Sequence, residues 1–318
     1  MGKTNSDIYR ELSYIVKGHD RAKKILINLI NRSYLRYYQK YGLLLEKEQL
    51  VPTHNALLIG KSGTGKTHLV KSLQKIMDFP LVIIDATSLN CVGARGGIDP
   101  EAMIKKVNEA AAVALQQNKN KYHSRDGVLN QMVVFVDEID KLCISHDSTG
   151  RWNEYIQSSF LNIFSENPEL DGVSFIFAGA FVGMLNNLKK KHIGFGKKQE
   201  EEEVEINYDE HLKRFGMIPE LIGRINHIVK IDTLTESDYR SILYNLVIPK
   251  KQKELKHYGI NKFSLTSEQA TAIIKVAMES EQGIRNLYKE VEKLSIDLEF
   301  KSGDDNDILY LESSSEQD

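Results

Sequence analysis

"NALLIGKSGTGKT", residues 55–67, is an apolar run that ends in glycine and passes straight into a glycine-rich turn. Its last eight residues, "GKSGTGKT" (60–67), satisfy G-x-x-x-x-G-K-[ST]. The surroundings give that pattern its meaning: a short buried strand is expected before it, and a helix after it over 67–77. The chemistry needs this spacing. Glycines let the backbone turn its N–H groups inward around a phosphate, and the helix N-terminus favours the anion. Lys66 brings a point charge to the terminal phosphates and Thr67 a hydroxyl to Mg²⁺. Gly60, Lys61, Ser62, Gly63, Thr64, Gly65, Lys66, Thr67 and His68 are therefore the candidate contacts for ATP.

Working outward, "PLVIIDAT" (80–87), "QMVVFVDE" (131–138) and "VSFIFAGA" (173–180) read as three more buried strands. Helices are expected between them, over 100–117 and 153–166. Strands alternating with helices predict an α/β fold, a parallel sheet flanked by helices. The second of these strands, "QMVVFVDE", runs on through "DEID", three carboxylates in four positions. In open α/β sheets ligands bind beyond the carboxyl ends of the strands, so these acids belong at the rim. Asp137, with Thr67, is the candidate holder of Mg²⁺, and Glu138 the group that polarises the attacking water. Crowded carboxylates repel one another, and a divalent cation relieves that repulsion. The plainer alternative is a strand running into a solvated acidic turn. Asp140 and Lys141 read as structural or inter-subunit polar contacts.

From about residue 232 the pattern becomes one of amphipathic helices. The first, over 235–259, opens with a capping-box pairing of Thr235 and Asp238. One further strand is expected at 307–311. The reading gives two domains, a large one over 1–232 and a smaller, mainly helical one over 233–318. Residues 189–212, charged and punctuated by glycine, read as a long exposed loop. A formal net charge of −2 gives no sign of a nucleic-acid binder. The two cysteines, Cys91 and Cys143, exclude a disulfide framework and point to a reducing, cytoplasmic setting. No run approaches the length of a membrane span.

The phosphate loop, "FVDEIDK", "IFAGAF" (176–181), "IGFG" (193–196), "KRFGMIPELIGR" (213–224) and "QGIRNL" (282–287) stand in a particular order. Together with "YIVKGHDRAKK" (14–24), that order resembles the ClpX subfamily of AAA+ ATPases over nearly the whole chain. The related HslU ATPases share much of it but carry a large inserted domain after the second strand, for which there is no room here. The resemblance implies a P-loop AAA+ module followed by a helical lid. It also implies a ring of six identical subunits that hydrolyses ATP to unfold or remodel proteins. By position, Arg224 resembles the arginine finger that serves the neighbouring subunit, Arg285 the sensor-2 arginine, and Val16 and Gly18 the lining of the adenine pocket. Ile193, Gly194 and Phe195 resemble the loop that docks on a ClpP-type peptidase. The alternative is an ATP-controlled AAA+ scaffold, or a nucleic-acid-associated factor, without peptidase coupling.

Two departures from the family are expected to matter. The zinc-binding N-terminal domain is absent from this sequence. In "SLNCVGARGGIDPEAMI" (88–104), the place of the family's aromatic pore residue falls to Cys91 when aligned from the left and to Arg95 when aligned from the right. Neither supplies a bulky apolar grip, and Arg95 favours acidic segments instead. Trp152 either replaces that grip or anchors the start of a helix.

Overall fold

The computed structural model describes residues 3–89, 100–143, 150–163, 167–184, 207–280 and 282–301. Cys91, Arg95, the motif of Ile193, Gly194 and Phe195, and the strand expected at 307–311 lie outside the described residues, as does the side chain of Trp152. Contacts divide the chain into two compact units. The first is Met1–Ile15, His19–Lys61 and Lys66–Ile231; the second is Val16–Gly18, Ser62–Gly65 and Asp232–Asp318.

In the first unit five strands form one sheet in the order β2-β3-β4-β1-β5. They are β1 (Ala56–Ile59), β2 (Leu81–Asp85), β3 (Val133–Asp137), β4 (Ser174–Gly179) and β5 (His227–Lys230). Every pairing is parallel. Parallel strands need long crossovers, and here these are helices, including α3 (Lys66–Met77), α4 (Pro100–Gln117) and α6 (Gly150–Leu161). Leu57, Ile59, Val134, Val136, Phe175 and Phe177 pack into one core with Met103 and Val107 of α4 and Phe160 of α6. Leu58, Phe135 and Ile176 are just as buried and, by strand alternation, face the other side. That two-sided burial explains why the central strands are unbroken apolar runs rather than alternating ones.

The N-terminal ends of the strands are tied together by polar groups. Arg36, on α2 (Asp20–Tyr41), is 5% exposed and donates to the Val51 carbonyl (3.0 Å), to Asn130 Oδ1 (3.2 Å) and to both oxygens of Asp171. Those residues precede β1, β3 and β4 respectively. A buried guanidinium is tolerable because its donors find acceptors and a counter-charge there.

Beside it, His54 Nδ1 lies 3.0 Å from His227 Nε2. One ring donates its proton to the other's lone pair, so both cannot be cations while the bond lasts. Burial first, then the Arg32 charge, lowers the pKa of each, and for His54 the His227 ring adds to this. When the folded pKa lies below the unfolded one, the unfolded chain takes up protons first. Stability is therefore kept above the unfolded value, about 6.5, and lost as the pH falls through it. The urea midpoint is expected to drop between about pH 7.5 and 5.5, and His227→Gln to shrink that drop. An undiminished drop in the variant would clear this pair as its cause.

Three differences from the sequence reading have physical reasons. β5 was not foreseen: in "HIVK" only Val229 is fully buried, as suits a strand at the sheet's edge. The exposed loop expected over 189–212 is corrected at its end, where Tyr208–Phe215 is a helix. Asn207 Oδ1 caps it by accepting from the Glu210 N–H (3.4 Å), Leu212 is buried, and Gly216 closes it with φ 105°. Finally, α1 (Asn5–Ile15) and α5 (Arg125–Leu129) add short helices, while the helix expected over 153–166 starts earlier, at Gly150.

The second unit is helical, with a core of Leu243, Leu255, Ala270, Ile274, Leu287 and Val291. Its first helix, Glu236–Ile242, carries the capping box: the Thr235 N–H donates to Asp238 Oδ2 (2.9 Å) and the Asp238 N–H to Thr235 Oγ1 (3.2 Å). No helix among the described residues is long and apolar enough to cross a membrane.

Candidate functional site

In the first unit, β1 ends at Ile59 and the chain turns at Gly60. A Cβ there would stand 2.8 Å from Ile231 Cβ, so the turn admits only glycine. Lys66 opens α3. Its side chain is buried, and Nζ donates to the Gly60 carbonyl and, at 3.0 Å, to that of Lys61. Thr67 Oγ1 donates to Asp137 Oδ2 at 2.6 Å. This bond is informative because β4 lies between β1 and β3. The two groups meet across the end of β4, which finishes in "FAG". A Cβ on Gly179 would run into Phe181 at 2.5 Å and Asp140 at 2.8 Å, so glycine there lets both side chains pack against the end of β4.

Glu138 follows with φ 58° and ψ 32°, a left-handed conformation that costs a non-glycine residue about 1–2 kcal/mol. The Glu138 N–H donates to Asp137 Oδ1 (3.0 Å), and its carboxylate caps none of the N–H groups in the turn that follows. Strain of this kind concentrates at working sites. Asp140 is 4% exposed and accepts from the Phe181 N–H (3.4 Å), which ties the turn to the end of β4 and gives Asp140 a structural place. His68 is set apart. It lines a cavity of about 350 Å³ with Lys71, Ser72, Gln74, Lys75, Leu81 and Ile83, without any of residues 60–67. Burial, then Lys75 and Lys71, lowers its pKa.

The second unit holds the middle of the loop. Gly63 and Gly65 have φ of 73° and 91°, open to glycine at no steric cost. A Cβ on Gly63 would fall 1.9 Å from the Gln282 carbonyl oxygen. The Ile284 N–H donates to the Gly63 carbonyl (3.2 Å), and Arg285 Nη1 lies 3.4 Å from Ser62 Oγ. Thus the start of helix Ile284–Lys301 is fastened to Ser62–Gly65. Val16 is 4% exposed, and Gly18, with φ 65°, lies against the Leu234 side chain.

Arg224 is not brought to the phosphate loop of its own chain. It lies in the turn between Pro219–Ile222 and β5, exposed, at the N-terminal end of the sheet. β1 and β5 run parallel with Ala56 opposite His227, whereas Gly60 stands at the other end of β1. At 3.3 Å per residue the rise from Asn55 to Gly60 is about 17 Å, further than an extended arginine side chain spans.

These groups suit a nucleotide. Left-handed glycines aim successive N–H groups into a concave anion seat, and a hydroxyl beside a carboxylate is a hard oxygen pair of the kind Mg²⁺ takes. No group of three or more His, Cys, Asp or Glu among the described residues could hold a metal. An ion at Thr67 and Asp137 therefore needs phosphate and water oxygens to complete its shell.

A family profile described as "ATPase family associated with various cellular activities (AAA)" matches residues 56–193. Over a longer span the chain is 30% identical to the ATP-dependent Clp protease ATP-binding subunit ClpX of Treponema denticola, an alignment covering 94% of this chain and 77% of that protein. It is 28% identical to the ATP-dependent Clp protease ATP-binding subunit ClpX 2 of Wolinella succinogenes, covering 93% and 77%. It is 27% identical to the corresponding ClpX subunit of Porphyromonas gingivalis, covering 91% and 75%.

Proposed function

We propose, from the premise that this chain belongs to the ClpX family of AAA ATPases, that it forms a ring of six copies which uses ATP hydrolysis to unfold or remodel proteins. One observation carries this reading furthest: the loop at one end of β1 and Arg224 at the other are too far apart to serve one phosphate group. An arginine so placed has a use when a second copy presents its loop to it.

In this reading Lys66 neutralises the terminal phosphates, while Thr67 and Asp137 hold Mg²⁺. The metal, when bound, withdraws charge from the phosphate oxygens. Glu138 orients the attacking water and draws on its proton. Arg224 from the adjoining copy meets the charge that builds on the equatorial oxygens, and Arg285 meets the phosphates from the same chain. Val16 and Gly18 border the base. Ile193, Gly194 and Phe195 are the proposed contact with a ClpP-type peptidase, and the names of the relatives, which speak of a Clp protease, support a protease partner. Cys91 and Arg95, in place of an aromatic, are proposed to give a weak mechanical grip with a preference for acidic segments. A cytoplasmic setting follows from the same family reading. No observation favours the scaffold or nucleic-acid alternative.

The test joins assembly to work done. In ATP and Mg²⁺, sedimentation is expected to show a concentration-dependent ring. Single-turnover loss of fluorescence from a tagged, unstable protein should require ATP, and adding a ClpP-type peptidase should convert unfolding into degradation. A monomer at every concentration, fully active as an ATPase, would sink the reading.

A further inference from the structure

We infer that Asn55 is a positioning residue for hydrolysis in the neighbouring copy, its side-chain amide holding the turn from which Arg224 projects. The inference rests on the reading that Arg224 acts on the next subunit's nucleotide.

Asn55 immediately precedes β1, and its polar groups reach both of that strand's neighbours, β4 on one side and the turn into β5 on the other. Oδ1 accepts from the Phe175 N–H of β4 at 2.9 Å, and Nδ2 donates to the Arg224 carbonyl at 3.1 Å. The Asn55 N–H donates to Asn226 Oδ1 at 2.8 Å, and its carbonyl accepts from the N–H groups of Asn226 (3.0 Å) and His227 (3.2 Å). These partners leave no doubt about which way the carboxamide faces. A backbone N–H on one side demands the oxygen, and a carbonyl on the other demands the nitrogen.

The effect on Arg224 is specific. Its N–H donates to the Leu221 carbonyl at 3.1 Å, and its own carbonyl is held by Asn55. Both backbone groups are therefore fixed while the guanidinium is exposed. Without the Asn55 donor, the peptide after Arg224 loses its only side-chain restraint among the described residues. An arginine that must meet a transient charge on another chain depends on that restraint, since a misplacement of about 1 Å can cost ~10²-fold.

Asn55→Asp separates this role from plain scaffolding. Aspartate keeps the oxygen that accepts from Phe175 and turns a second acceptor toward the Arg224 carbonyl in place of the donor. Subunits carrying Lys66→Ala lack a working nucleotide loop but keep Arg224, and Arg224→Ala subunits are the converse. Mixed, they are expected to recover hydrolysis. Adding Asn55→Asp to the Lys66→Ala donor is expected to lower that recovered rate by ~10- to 10²-fold. Adding it to the Arg224→Ala acceptor should leave the rate within about twofold, because that subunit's arginine is already gone.

A defect that follows the donor supports the inference. Equal defects in both backgrounds, or none in the donor, would overturn it alone. No recovery from the parent mixture would overturn the shared-arginine reading, and this inference with it. Thermal unfolding and binding of a fluorescent ATP analogue accompany each mixture. Should Asn55→Asp fail to fold, Asn55→Ala in the same two backgrounds is read by the same rule.

Discussion

Glu138→Gln is expected to bind ATP as the parent does and to hydrolyse it at least ~10²-fold more slowly, the lower range for one positioned acid–base group. Glutamine keeps the size and reach of the side chain, so the left-handed backbone at φ 58° has no new reason to change. What disappears is the anionic oxygen proposed to draw on the water's proton. Lys66→Ala is expected to fail one step earlier, at binding. Two charge-assisted hydrogen bonds to phosphate, at about 1.5–3 kcal/mol each, correspond to a loss of ~10²- to 10⁴-fold in affinity. A fluorescent-nucleotide titration and a single-turnover assay on the two variants separate the steps. Normal turnover in Glu138→Gln would remove Glu138 from the chemistry, and normal binding by Lys66→Ala would remove the loop.

Arg224→Ala should lose ~10³-fold in turnover, the low end of what an inserted arginine contributes to phosphoryl transfer. Its affinity for ATP should stay within about tenfold of the parent, or ~1.4 kcal/mol, since β1 separates residue 224 from its own loop. The decisive arm is the mixture with Lys66→Ala. Neither variant hydrolyses ATP well alone, yet some interfaces in a random mixture set an intact loop against an intact arginine. Recovery above the sum of the two separate rates is the expected result. A rate equal to that sum, in mixtures shown to co-assemble, would confine the whole site to one chain and leave Arg224 without a chemical role.

Lys66 and Glu138 could be singled out because they belong to short motifs set in strong local context, and Arg224 only through the family resemblance. The apolar runs of β1, β3 and β4 announced themselves for a related reason: burial on both faces removes every polar interruption. β5 had no such signature, since His227 and Lys230 dilute its apolar content at the edge of the sheet. The helix Tyr208–Phe215 was masked by the charged, glycine-bearing stretch before it, although Asn207 is an ordinary N-cap and could have marked its start. Asn55 was beyond reach for a deeper reason. Its partners lie 120, 169 and 171 residues away, and no periodicity records a contact of that range. Nor does a sequence reveal that Glu138 takes a left-handed backbone, because the motif specifies the acid and not the torsion.

One short strand, Ala56–Ile59, also gives the molecule a direction. A subunit with its nucleotide loop at one end of β1 and its arginine at the other has unlike poles. A two-fold pair could satisfy both poles only by laying the two copies antiparallel, arginine to loop twice over. In the proposed ring the contacts are instead heterologous, each copy's tail on the next copy's head, repeating until the rotation per step closes or fails to close. In that proposed assembly chemistry and closure are separate properties. There, a substitution that altered only the angle between successive copies would leave every hydrolytic interface intact and turn the proposed ring into an open helical fibre.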